Sequence, residues 1–213
     1  MTSTVSDKNQ SVDVMQSIRQ VIDSEIDAVR QVAGEIDDSF VRAVEMIVGC
    51  KGKVIFTGVG KSGHIGEKLA ATFASVGISS FFMHSTEAVH GDLGMVTADD
   101  LVIAISNSGE TAETLRVIPV LKVKKTPMIS MTGNNESTLA KAADVALEIH
   151  VDREADDFNL APTNSTTAVL VVGDSLGLTA SRIIGFDDYG FGLNHPGGAL
   201  GRRLVEQGVL KEM

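Results

Sequence analysis

The stretch Ile103 to Thr111, IAISNSGET, is the one from which the rest of the chain can be read. Leu101 to Ile105 is apolar and β-branched, as a buried strand is. Two serines, an asparagine and a glycine follow, and a helical pattern begins at Thr111. Strand, hydroxyl-rich turn and helix start together form an anion cradle. The free N–H groups of a first helical turn and the helix dipole converge on one point there. Ser106, Ser108 and Thr111 add short hydroxyl donors, so the turn reads as the seat of a phosphate on a small substrate. The plainer alternative is that Ser108 or Thr111 only caps the helix. A second polar turn, Gly58 to His64 (GVGKSGH), tips the balance toward phosphate.

The pattern around these turns alternates strand and helix. Val12, Met15, Ile18, Ile22, Ile26 and Val29 recur at helical spacing and predict an amphipathic helix to about residue 34, after a polar, disordered residue 1–10 segment. Asp37, Asp38 and Ser39 start a second helix, and Gly52 ends it. Strands are expected at Val54–Thr57, Ser80–Met83, Leu101–Ile105, Met128–Met131 and Val145–Ile149. Helices are expected from the GVGKSGH turn to Ala74, from Thr111 to about Lys124 with a kink or break at Pro119, and from Glu136 to Ala142. From Asn164 to about Ile184 a helix is apolar on nearly every side, as a helix buried in a core or between subunits would be. This is an α/β doubly wound, largely parallel five-stranded sheet flanked by helices, with residues 11–213 as one domain. Ligands of such sheets sit at the carboxyl ends of strands, where both polar turns fall.

Composition narrows the function. The chain has 213 residues, 43% of them hydrophobic, and a net charge of −10, which argues against an extended nucleic-acid or anionic-membrane surface. An acidic protein that holds phosphate must use local donors, and the serine-rich turn supplies them. Cys50 is the single cysteine, the first residues lack the apolar core of a signal peptide, and no apolar run reaches membrane-spanning length. A cytoplasmic protein is expected.

Gly58, Gly60 and Gly63 satisfy G-x-G-x-x-G after a strand, but no ribose-binding acid stands at the end of the next strand, where Met83-His84-Ser85 lies. A phosphate-binding P-loop would need glycine where Ile55 stands. What remains is a turn exposing Lys61 and Ser62 beside the cradle; the lysine can neutralise a phosphate or a developing oxyanion. Glu110 and Glu113 lie at the first turn of the cradle helix, where the dipole favours a carboxylate, and either could serve as a base. His195, between Asn194 and Pro196-Gly197-Gly198, suits a positioned acid–base group. His84 and His90 flank STEAV at a spacing that is no zinc signature.

Gly58–His64 (GVGKSGH), Glu87–Met95 (EAVHGDLGM), Ile105–Glu110 (ISNSGE), Leu160–Thr167 (LAPTNSTT) and His195–Arg202 (HPGGALGR) together resemble the sugar isomerase (SIS) domain of the D-arabinose 5-phosphate isomerases. The resemblance spans about residues 15–204. It implies interconversion of D-ribulose 5-phosphate and D-arabinose 5-phosphate, the first step toward the acidic sugar Kdo of lipopolysaccharide and some capsules. Carried over by motif, the family's catalytic positions fall on Lys61, Glu113, Glu154 and His195. His90 matches a substrate-contacting histidine, and His84 a position where inhibitory zinc can bind; no cofactor is required. The READDFN context of Glu154 departs from the family's usual loop. The resemblance further implies a short form without the CBS domain pair that most members carry, and a homotetramer.

Aldose–ketose isomerisation needs a base for the carbon acid, a stabiliser of the enediolate oxygen and an acid–base group to open the sugar ring. Glu113 is assigned as base, Lys61 as stabiliser and His195 as ring opener, with Glu154 assisting. Gly60, Ser62, Gly63, Ser106, Asn107, Ser108, Gly109 and Thr111 would hold the substrate and its phosphate. A non-catalytic sugar-phosphate-binding module, or an isomerase of another ketose phosphate, are the alternatives. Because His90 and His195 lie in glycine-rich segments outside the alternation, at least one is expected to reach the cradle of an adjacent subunit.

Overall fold

The computed structural model describes residues 4–7 and 10–209. In chain order, β1 (Thr4–Asp7) and β2 (Gln10–Asp13) precede α1 (Val14–Gly34) and α2 (Asp38–Gly49). Then β3 (Val54–Gly58), α3 (Gly60–Ser75), β4 (Ser80–His84), α4 (Ser85–Ala88), β5 (Leu101–Ile105), α5 (Ala112–Leu115), α6 (Ile118–Lys124), β6 (Met128–Thr132), α7 (Thr138–Ala142) and β7 (Val145–Glu148) follow. α8 (Asn164–Ile183), α9 (Asp188–Asn194) and α10 (Ala199–Glu206) complete the described chain.

β3 to β7 form a five-stranded sheet in the order β4-β3-β5-β6-β7, and every neighbouring pair is parallel. Parallel strands covered on both faces are apolar throughout, and β3, β5 and β6 are buried along their whole length. Alternate residues serve opposite layers. Phe56, Ile103 and Met131 pack with α2, α3 and α8, while Ile55, Val102 and Met128 pack with Val117, Leu121 and Leu139 of the other layer. The strand order reverses direction between β3 and β5. That switch point opens a crevice beyond their carboxyl ends, where α/β sheets bind ligands.

Two helices set the shape of that crevice. α8 crosses α3 so closely that a Cβ on Gly177 would stand 2.5 Å from Cε2 of Phe73, and one on Gly173 would strike Leu69. Phe73 in turn meets Phe56 of β3 edge to face, with ring centroids 4.9 Å apart. Lys68 of α3 and Asp174 of α8 close the contact with an ion pair at 2.6 Å.

The expected strands are all present, within a residue of their bounds. Several helical expectations change. The helix expected from Thr111 to Lys124 is two short ones, and Pro119 sits in the first turn of α6 rather than inside a helix. Proline lacks the N–H that a first turn leaves free anyway, so the chain breaks ahead of it. The amphipathic helix starts at Val14, capped by Asp13, whose side chain accepts from Gln16 N, and Val12 belongs to β2. Of the residue 1–10 segment expected to be disordered, residues 1–3, 8 and 9 lie outside the described residues, whereas Thr4–Asp7 pairs antiparallel with Gln10–Asp13. The Ser85–Met95 stretch and the glycine-rich tail carry the short helices α4, α9 and α10 and a 3-10 turn at Asp92–Met95. Their periodicity is too short to read through so many glycines. α8 matches its expected extent, and within one chain the core covers only part of it: Val171, Leu178 and Ile183 are 40%, 45% and 60% exposed, so of the two expected modes of burial the core alone does not account for the whole helix.

Replacing Gly177 by alanine should therefore destabilise the fold. Alanine gains about 1 kcal/mol of helix propensity, but overpacking against the buried Phe73 ring costs roughly 1–3 kcal/mol. Gly34→Ala, where a Cβ meets nothing within 4 Å, should be neutral or stabilising. Urea unfolding of both variants checks this; a Gly177→Ala protein as stable as Gly34→Ala would refute the close-contact account.

Candidate active site

A cavity of about 340 Å³ lies at the switch point, lined among others by Lys61, Ser62, Asn107, Ser108, Thr111, Ser165 and Thr166. Three helix starts border it, and in none does the N-cap residue's own side chain cap the helix: Val59 before α3, Thr111 before α5 and Thr163 before α8, where the Glu154 carboxylate accepts the Ser165 N–H instead. Elsewhere Asp37, Ser137 and Asp187 cap their helices with side-chain oxygens. α6 and α10 also start uncapped, but neither borders the cavity. The first N–H groups of α3 thus have no partner within the helix. Lys61 adds an exposed ammonium in that first turn, a placement the helix dipole disfavours unless an anion joins it.

The serine-rich turn is shaped from within. Ser106 is buried; its hydroxyl pairs with Thr111 Oγ1 at 2.8 Å and accepts the Gly109 N–H at 3.1 Å. Gly109 has φ +66 and lies so close to Ser137 that a side chain would strike it. Gly60, with φ +58, turns the chain into α3. Gly63 packs against the Gly58 backbone and the Phe82 ring. Ser106, Gly63 and Gly109 therefore build the walls, and Lys61, Ser62, Asn107, Ser108 and Thr111 face the space.

The carboxylates divide by what they touch. Glu110 turns away and accepts the Thr138 N–H at 2.7 Å, at the start of α7, which holds its carboxyl below the usual range. Glu113, half-buried in the first turn of α5 two residues after Thr111, makes no such commitment, but it does not line the cavity of its own chain. Glu154 does not line the cavity. It is 8% exposed and stands behind α8's first turn, accepting Thr163 N at 2.8 Å, Thr163 Oγ1 at 3.1 Å, Ser165 N at 3.2 Å and the Ser165 hydroxyl. Burial alone would raise its pKa, but these four donors outweigh it and keep the carboxyl ionised below the usual range. A carboxylate so engaged orients α8's start rather than reaching a substrate.

The histidines lie off the cavity of their own chain. His90 is exposed in the turn after α4. His195 is held at the opposite end of α3: Nε2 pairs with Ser75 Oγ at 2.9 Å, Nδ1 with the Phe191 carbonyl at 2.9 Å, and the ring stacks on Phe191. Fourteen residues of helix at about 1.5 Å each separate Ser75 from Lys61, roughly 21 Å. His84 accepts the Thr86 N–H through Nδ1 at 3.3 Å. Among the described residues no group of three or more His, Cys, Asp or Glu is arranged to hold a metal ion. His84 thus offers a zinc ion one ligand from this chain.

The α8 wall, Ser165 and Thr166, is a pair of cavity-lining residues that sequence reasoning missed. The signal is present in Pro162-Thr163-Asn164-Ser165-Thr166, a hydroxyl-rich helix start like the cradle's own.

The sequence profile of the SIS domain matches residues 46–178. The chain is 51% identical over 197 residues to the arabinose 5-phosphate isomerase KdsD of Pseudomonas aeruginosa and 52% identical over 193 residues to that of Escherichia coli K12. It covers 92% and 91% of its own length in these matches but only 60% and 59% of theirs. An E. coli CFT073 protein, c3406, solved in complex with arabinose 5-phosphate, is 50% identical and superposes with a TM-score of 0.85, over 86% of this chain and 98% of that one.

Glu154 should leave a signature in acid. Its folded pKa is depressed, so its contribution is fully present above the unfolded pKa and is lost as pH falls through the folded one. The stability lead of the wild type over Glu154→Gln, which does not titrate, should be largest near neutrality and shrink below the usual carboxylate range. Denaturant unfolding near neutrality and again in acid below that range measures it; a lead that does not change with pH contradicts the ionised network.

Proposed function

The chain belongs to the SIS domain family, and we propose that it is an aldose–ketose isomerase interconverting D-ribulose 5-phosphate and D-arabinose 5-phosphate in the cytoplasm, the step that leads toward Kdo. The observation that carries this reading is the cavity at the switch point, where uncapped helix starts, Lys61 and free hydroxyls face one space. Such a set suits a sugar phosphate. The identity to two KdsD isomerases and to a protein solved with arabinose 5-phosphate supports the choice among sugar phosphates.

In this mechanism the phosphate sits against the start of α3 and the 106–111 turn. Glu113 takes the proton that moves between C1 and C2, since Glu110 is committed to Thr138. Lys61 stabilises the enediolate oxygen. Glu154 holds the α8 wall. The chain's own groups move every proton, with no cofactor. His195 opens the ring, and because it stands at the far end of α3 it serves the cavity of a neighbouring copy. The assembly is a homotetramer. Met15, Ile18, Ile22 and Ile26 of α1 are 41–53% exposed, and an apolar groove of about 460 Å³ between α1, α2 and α8 is left open by one chain. Patches of this kind mark interaction surfaces.

Purified protein given D-ribulose 5-phosphate should release D-arabinose 5-phosphate; binding without turnover would instead indicate a sugar-phosphate-binding module. Glu113→Gln should fold normally and lose about 10²–10⁴-fold in turnover, as loss of a general base does. Wild-type turnover in that variant would remove Glu113 from the role. Lys61→Ala and His195→Ala, each nearly inactive, should regain activity when co-expressed in one assembly. Mixed oligomers that stay inactive would place the whole site within one chain, and a monomer by light scattering would remove the tetramer.

A further inference from the structure

The hydroxyls around the cavity are not equivalent, because each has one proton and the protein directs it. Ser108 Oγ accepts the Glu110 N–H at 3.2 Å, which leaves its own O–H free to donate into the cavity. On the α8 wall the assignment is reversed. Ser165 donates its proton to Glu154, and Thr166 donates to the Thr163 carbonyl at 3.0 Å, with the Pro162 carbonyl at 3.3 Å. A hydroxyl whose proton is committed offers a ligand only lone pairs. The cavity therefore has a donor side, with Lys61 and Ser108, and an acceptor side, with Ser165 and Thr166.

Charge reinforces this polarity. Glu154 accepts the Thr163 and Ser165 N–H groups, so these donors of the α8 start are spent on the chain's own carboxylate. A phosphate at that wall would face lone pairs with a negative charge behind them. The loop that carries Glu154 is fixed as well. Asp156 accepts the N–H groups of Phe158, Leu160 and Ala161 at 3.1, 2.9 and 2.8 Å, and Asn159 Oδ1 accepts Glu154 N at 2.6 Å. The acceptor wall is thus set before any ligand arrives.

Resting on the sugar-phosphate reading of the cavity, we infer that it takes its ligand in one orientation, phosphate toward Lys61 and Ser108 and hydroxyl protons of the carbon chain toward Ser165 and Thr166. Glu154 is the positioning residue that sets the direction of the Ser165 hydroxyl. The preferred ligand class is a phosphate ester whose carbon chain carries hydroxyl donors; a chain with a second anionic group at that end is disfavoured.

Calorimetric titration of the full chain with inorganic phosphate and with D-arabinitol 5-phosphate, a polyol phosphate that cannot isomerise, separates the two sides. A Ser165→Ala, Thr166→Val double variant should bind the polyol phosphate roughly thirtyfold more weakly, as loss of two hydrogen bonds worth about 1 kcal/mol each would give, and inorganic phosphate within about twofold of wild type. In Glu154→Gln the amide oxygen can still accept both N–H groups while its NH₂ donates to Ser165, turning that hydroxyl outward as a donor. Its preference for the polyol phosphate over inorganic phosphate should fall, with the melting temperature followed in parallel. Equal weakening of both probes in the double variant would put the phosphate on α8 and overturn the orientation. Loss of both probes in Glu154→Gln in step with a lower melting temperature would make Glu154 merely structural, and unchanged binding in both variants would overturn the acceptor wall. A wild type that binds neither probe would refute the sugar-phosphate reading itself and the orientation with it.

Discussion

The contact between α3 and α8 is the constraint on which the rest of the site depends. Two glycines one turn apart, Gly173 and Gly177, let α8 lie directly on Leu69 and Phe73, side chains that are themselves wedged against β3. A helix fixed this closely has little freedom to slide, so its first turn falls at one height above the sheet. That height brings Ser165 and Thr166 level with Lys61, Ser62 and the 107–111 turn. The apolar packing in the middle of the two helices thus determines the polar geometry at their starts. Interiors packed at this density transmit position rather than absorb it.

Within the cavity, electrostatics resolves an apparent conflict. A chain of net charge −10 repels a doubly charged ligand at long range. Exposed charges beyond about 8 Å are screened at physiological salt, so the local donors decide. Uncapped helix starts and one lysine meet at the donor side, while two carboxylates of the neighbourhood are turned elsewhere, Glu110 to α7 and Glu154 behind α8. The serine-rich turn combines both tasks, because Ser106 braces it internally and Ser108 keeps a proton for the ligand.

Much of this is legible in the sequence, and the parts that are not have a common cause. The five strands are readable because buried parallel strands are apolar on both faces, and the cradle because a strand, a hydroxyl-rich turn and a helix start adjoin in sequence. Lys61, Ser62, Asn107, Ser108 and Thr111 line one cavity for the same reason. Glu154 belongs to the neighbourhood, as its motif implies, but its contacts depend on a loop that folds back over nine residues to Thr163. His195 cannot be placed from its motif: Pro196-Gly197-Gly198 says that the chain turns there, not which end of α3 it turns against. The break ahead of Pro119 follows from proline's missing N–H, but its place, before the proline rather than at it, depends on whether the ring starts a helix or interrupts one. The tail helices are hidden by glycine, which erases the 3.6-residue pattern without preventing the turns.

The position of α8 also ties the cavity to the outer face of the molecule. Its first turn forms the acceptor wall, and two to five turns further on Val171 and Ile183 stand exposed in the groove formed with α1 and α2. α1 holds the same first turn from outside: Ser24 accepts from Asn164 Nδ2 at 2.8 Å, and Glu25 accepts from Thr167 Oγ1 at 2.7 Å. Whatever covers the groove therefore presses on the two helices that fix the wall. Half-exposed apolar side chains keep several rotamers in water, and burying them removes that freedom from the helices that carry them. Cover on this face would stiffen the α8 start and, through Ser165, the orientation of a bound ligand.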